Sequence, residues 1–249
     1  MPLLKALQKE RISCVIIGGC ACALWAMRYE TKKIAAFRPY MTKDLDLVAE
    51  SKQAVVRTAS ALRVKAKLAR KRAASNDLGI LEYEAGGQKI FVQFLNASRA
   101  IRGHRILEVK QPYRWDKHDL TLEVMHPLHC LEDKIASLVA EPEQIDRQDK
   151  KHLKMALLFV PEFIMERASE NERDALKMCQ HIMDLAFSQN GLCCYRDHGI
   201  KIKPAIRSDR IATRDFKRLQ NFLDKEAAHK AKDLAVLRRT RFPRKSLTS

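Results

Sequence analysis

VIIGGCACALWAMRYETKKIAAFRPYMTKDLDLV, residues 15–48, decides how the rest of the chain is read. Val15-Ile16-Ile17 is a short apolar run with the length of a buried strand. Gly18-Gly19 follows, and CACALWAM after it has the length and composition of a helix. Beyond a connector, the next apolar run carries Asp44 and Asp46. Successive side chains of a strand point to opposite faces, so carboxylates two residues apart share one face. Two like charges held that close are costly unless a cation lies between them. Hard oxygen ligands so placed suit Mg²⁺, which takes one or two carboxylates and completes its shell with water and phosphate oxygens. The diglycine offers the other half: backbone N–H groups at a helix N-terminus, uncovered by side chains, where phosphate can approach.

Composition sets the class. The chain has 249 residues, enough for a full core in one large or two small domains. With 46% hydrophobic and 31% charged residues it has the make-up of a soluble globular protein. Its charge is unusual: 47 Lys and Arg against 30 Asp and Glu leave +17, which favours a polyanionic partner such as nucleic acid. No run of some twenty apolar residues marks a membrane span. The opening MPLLKALQKERISC lacks a signal-peptide core, so a cytoplasmic location is expected. Seven cysteines without pairing or metal spacing read as reduced, mostly buried thiols.

The strand, Gly-Gly, helix and Asp-x-Asp strand, represented by Gly18, Gly19, Asp44 and Asp46, resemble the nucleotidyltransferase superfamily that includes polymerase β. TKDLDL (Thr42 to Leu47) is most similar to the AbiE-toxin-type branch of bacterial toxin–antitoxin and phage-defence systems. HPLHCLEDKIASLVAEPEQIDRQDKKHLKMALLFV, from His126, resembles the second conserved segment of those toxins. The Lys of that segment falls on Lys134 and its acid on Asp149, while His152 stands where the second acid would be. The resemblance implies that Asp44 and Asp46 bind Mg²⁺, and that Gly18, Gly19, Thr42, Lys43 and Lys134 contact the nucleotide. It also implies that Asp149 activates the acceptor hydroxyl. The third carboxylate of polymerase-like members falls on Gln93 in IFVQFL, a weaker Mg²⁺ ligand and a poor proton acceptor. Glu82 or Glu84 could compensate if strand register brings one to the same face.

Along the rest of the chain, residues 2–11 read as an amphipathic helix with Leu3, Leu4 and Leu7 on one side. Residues 51–72 are helical in pattern and basic, either a solvated face or a surface toward nucleic acid. LGILEYEAGGQKIFVQFL predicts a hairpin turning at Ala85 to Gln88. A second strand pair is predicted in RILEVKQ and LTLEVM, separated by the polar PYRWDKHD. Ser169-x-x-Glu172 predicts a capping box opening a helix that Asn190-Gly191 would end. Residues 206–237 predict one or two helices with Phe216, Leu219, Phe222 and Leu223 buried. The tail RRTRFPRKSLTS is either a solvated end or an RNA-contacting arm.

The expected architecture is α+β: a polymerase β-like nucleotidyltransferase domain with a small mixed sheet (1–125), then an α-helical domain with a basic tail (126–249). The expected function is Mg²⁺-dependent transfer of an NMP from an NTP to an acceptor. The charge and the resemblance suggest RNA or tRNA as that acceptor, with the protein acting as a toxin beside an antitoxin partner. The alternative is a catalytically degenerate domain that binds nucleotide, RNA or a partner protein. An aminoglycoside-like cationic acceptor would favour an acidic pocket and fits the net charge poorly.

Overall fold

The computed structural model describes residues 2–40, 44–70, 76–85, 87–140, 147–211 and 216–241. The chain opens with helix α1 (Pro2–Lys9), which buries Leu3 and Leu7, and strand β1 (Cys14–Ile16). Helix α2 (Gly18–Arg28) starts one residue after Ile17. A short α3 (Lys32–Ala35) leads to β2 (Asp44–Ala49) and α4 (Lys52–Leu62). Then come β3 (Ala66–Leu68), β4 (Asp77–Ala85), β5 (Gln88–Leu95), α5 (Gly103–Glu108), β6 (Gln111–Trp115) and β7 (Leu120–Val124). Every described element beyond β7 is helical, the α-helices being α6 (Pro127–Ala140), α7 (Arg147–Glu170), α8 (Glu172–Phe187), α9 (Gln189–His198), α10 (Ser208–Ile211), α11 (Lys217–Asn221) and α12 (Ala228–Arg241).

The strands form one seven-stranded sheet in the order β3-β4-β5-β2-β1-β7-β6. It is mixed: β2 with β5 and β1 with β7 run parallel, and the other pairs antiparallel. The fold is therefore α+β, as the sequence predicts, with a broader sheet than expected. Alternation sorts the hairpin of β4 and β5. Leu81, Tyr83, Val92 and Phe94 are buried on one face, while Ile80, Glu82, Phe91 and Gln93 point to the other. On the buried side, α4 lies so close that Val55 Cγ1 would sit 3.1 Å from a Cβ at Gly79.

Helix α2 ties the sheet to the helical layers. Its Trp25 is fully buried and donates its indole N–H to the Met125 carbonyl at 2.8 Å. The ring packs edge-on to Tyr113 and, at 6.1 Å between centroids, against Phe163 of α7. One turn on, Arg28 reaches Glu166 of α7 at 2.8 Å, and the Tyr29 hydroxyl donates to the same carboxylate.

Four local expectations differ from the structure. The basic stretch after Ser51 is helical only to Leu62, where Arg63 turns left-handed (φ 55°) and residues 66–68 pair with β4. RILE belongs to α5, and the strand pairing with β7 is QPYRW, whose Tyr113 is buried opposite Leu122. The cap of α8 is Asn171, accepting from the N–H groups of Arg173 and Asp174; Ser169 stays inside α7. Asn190-Gly191 lies in the first turn of α9, where a Cβ at Gly191 would meet the Leu185 carbonyl at 2.0 Å. That glycine lets the first turn of α9 close onto the last turn of α8. Most of the tail lies outside the described residues.

Trp25→Phe should keep the fold but leave the Met125 carbonyl with only the weak Cys130 thiol donor at 3.6 Å, costing about 1–3 kcal/mol in urea unfolding. A loss below about 0.5 kcal/mol would mean that this bond does not hold α2 to the sheet.

Candidate active site

Strand β2 brings Asp44 and Asp46 to the sheet's open face, with Asp46 beside Gln93 and Asp44 beside Phe91 on parallel β5. Antiparallel β1 ends alongside, and the Ile17 N–H donates to the Asp46 carbonyl at 3.0 Å, which fixes where α2 begins. Gly18 has φ +63°, and a Cβ there would fall 2.5 Å from Asp46 Oδ2. The carboxylate thus rests on bare backbone, and a side chain at 18 is barred both by conformation and by space. Ile17, at the N-cap, supplies no side-chain oxygen to the first turn of α2, so that turn faces the acids uncapped. Gly19 is half-buried in the same turn.

The helical layers complete the cluster. Lys134 of α6 is buried and places Nζ 2.9 Å from Asp149 Oδ1 at the start of α7. Its neighbour Asp133 is also buried, 4.0 Å from that Nζ, and accepts the backbone N–H groups of Arg99 and Ala100 at 3.1 and 3.4 Å. Burial pushes the Asp46 carboxyl up to about 6. The Lys134 ammonium opposes this, while the charges of Asp44, Asp133 and Asp149 add to it. Burial works against the charge on Lys134, but Cys22, Asp133 and Asp149 together hold its pKa above the ordinary lysine range. Asp46 therefore feels three other carboxylates and one ammonium, within a chain of net charge +17. The imbalance is local, acidic, and suited to a cation.

Gly18, Gly19, Asp44, Asp46, Lys134 and Asp149 are thus brought together. Thr42 and Lys43 lie outside the described residues. Gln93 stands on the same face as Asp46, as its place in the pattern requires. Its Nε2 donates to Asp77 Oδ1 at 2.6 Å. Glu82 and Glu84 do share that face, but they sit opposite Phe91 and Lys89, and Glu82 pairs with Lys89 at 3.0 Å. Neither fills the third position. His152 is buried on α7, one turn beyond Asp149. Sequence reading missed Asp133 and Asp77. The only cue to Asp133 was an acid next to Lys134 in a largely apolar helix that also carries Glu132, and nothing marked Asp77.

Among the described residues, no group of three or more His, Cys, Asp and Glu side chains is placed to hold a metal. Asp44 and Asp46 alone offer two hard oxygen ligands, a set that fits Mg²⁺ when water and phosphate oxygens supply the rest. No described helix is long and apolar enough to cross a membrane.

No protein-family profile matches the chain, and no curated protein matches it. Among the solved structures that overlap it in part are the following two. An antigenic nucleotidyltransferase-like protein from Paracoccidioides brasiliensis aligns over 64% of this chain and 72% of its own, at 14% identity and TM-score 0.41. The Megavirus polyadenylate synthase aligns over 76% of this chain and 43% of its own, at 11% identity and TM-score 0.42. These likenesses are too slight to bear on function, which rests on the side chains described above.

In metal-free protein, the raised Asp46 carboxyl binds its proton more tightly folded than unfolded. Its stabilising contribution is present below about pH 4 and lost as pH rises through about 6. After chelation, Asp46→Asn should therefore match wild type near pH 4 and exceed it near pH 7.5 by on the order of 2 kcal/mol. Equal stabilities at both pH values would contradict the crowding of these acids.

Proposed function

We propose that this chain is a Mg²⁺-dependent nucleotidyltransferase that moves an NMP from an NTP to an acceptor hydroxyl. One observation carries the reading: the Asp46 carboxylate lies against the side-chain-free start of α2, at the same place where Lys134 and Asp149 meet. Residues 1–125 form the transferase unit in this reading, and 126–249 the helical unit.

Asp44 and Asp46 would hold Mg²⁺, which supplies charge neutralisation for the triphosphate. The N–H groups opening α2 receive phosphate oxygens along the favourable direction of the helix dipole. Lys134 neutralises charge on the departing pyrophosphate. A triphosphate competes with Asp149 for that ammonium, and the carboxylate so released takes the proton of the attacking hydroxyl. The acceptor oxygen bonds to the α-phosphorus as the bond from that phosphorus to the pyrophosphate oxygen breaks.

The net charge of +17 favours RNA, tRNA included, as the acceptor. Toxin activity countered by an antitoxin protein is the biological setting that the AbiE-type pattern suggests. Gln93, bonded to Asp77 in place of a third carboxylate, favours a second reading in which the domain binds nucleotide or RNA without turnover.

Incubation with Mg²⁺, each α-³²P-labelled NTP and total RNA separates the two. Transfer by wild type should disappear in Asp44→Ala and Asp46→Asn and fall roughly 10²–10³-fold in Lys134→Met. Binding without transfer would establish the degenerate reading, and transfer undiminished in the aspartate variants would remove the site.

A further inference from the structure

A hollow of about 930 Å³ lies beside the carboxylate strand. One wall is the face of α2 formed by Ala23, Leu24 and Met27, at the three- and four-residue spacing of one helix side. Its opposite face packs on α7 through Trp25 and Tyr29. Leu3 and Leu4 of α1 form another wall, and the floor includes Leu45 of β2, Ile90 of β5 and Tyr83 of β4. Polar side chains gather where β2 and β5 begin: Asp44, Gln88 and Lys89. Met27 and Phe91, both lining residues, are 42% and 45% exposed. Large apolar side chains left open around a concave apolar space are a feature of ligand sites, and the volume is that of a pocket for one drug-sized molecule.

We propose that this hollow binds a small, predominantly apolar molecule ending in a neutral polar group such as a hydroxyl. The apolar walls take the body, since burying it there removes both its surface and theirs from water. Burying a polar group costs free energy unless it finds a partner, and here the partners lie at the strand-start end beside Asp44. A carboxylate end-group would meet the Asp44 charge. Lys89, already paired with Glu82, offers it little compensation. The α1 and α2 walls (Leu3, Leu4, Ala23, Leu24 and Met27) offer no side-chain partner to the polar edge of a nucleobase. The inference requires no nucleotidyl transfer, so its failure and that of the proposed function are read separately.

The test is displacement of N-phenyl-1-naphthylamine fluorescence by straight-chain alcohols from hexanol to decanol, on the full chain without NTP. Saturable binding of one molecule per chain is expected, tightening about fourfold per methylene. Decanoate should bind about tenfold more weakly than decanol. Ala23→Phe, which fills the hollow from α2, and Met27→Glu, which charges its mouth, should each weaken decanol about tenfold or more. Met27 is exposed, so the second variant keeps the test valid if the first does not fold. Absence of saturable binding, or binding unchanged in Met27→Glu, would overturn the proposal. So would a concentration-dependent dimer abolished by Met27→Glu in light scattering, which would assign the hollow to a second copy of the chain.

Discussion

The contact between the Asp46 carboxylate and the backbone of Gly18 governs the rest of the site. A side chain at 18 would collide with Oδ2, and the left-handed φ of that residue is one few side chains tolerate. The Ile17 N–H bond to the Asp46 carbonyl fixes the same junction from the backbone side. With strand and helix locked this closely, the positive end of α2 points at the acids. Everything that α2 holds in place, from Trp25 in the core to Glu166 on α7, inherits its position from that junction.

Charge makes the arrangement costly and useful together. Burial raises the Asp46 carboxyl, and three other carboxylates raise it further against a single lysine. Such a cluster weakens the fold while its carboxylates are charged, and the proposed divalent ion would relieve it. A basic chain with this local group of acids can attract a polyanion over its surface, and in the proposed reaction a metal would precede the triphosphate at the acids. Asp133 keeps Lys134 company while bonding the loop after β5, so the helical layer is registered to the sheet through the site itself.

The parts legible in the sequence were those set by local periodicity. Asp44 and Asp46 share a face because strands alternate, and the β4–β5 hairpin follows from two alternating runs around glycines. Long-range partners were hidden. β3 is a three-residue edge strand with every side chain exposed, so no pattern separated it from the helix before it. RILE has strand-like residues, yet Ile106 turns into the core as part of α5. Asp133 acts on backbone groups 33 and 34 residues away, and Asp77 on Gln93 across a hairpin; spacing encodes neither. Lys134 and Asp149 were singled out only through the resemblance, since each alone reads as a helix-surface charge, and their ion pair was visible only in the structure.

Mn²⁺ binding, followed by electron paramagnetic resonance with a non-hydrolysable NTP present, tests the central claim most directly. The account predicts that the wild-type chain binds Mn²⁺ and that Asp44→Asn and Asp46→Asn each weaken it by about tenfold or more, since a carboxylate ligand is lost. Equal affinity in all three proteins would contradict the assignment of this strand face as a cation site.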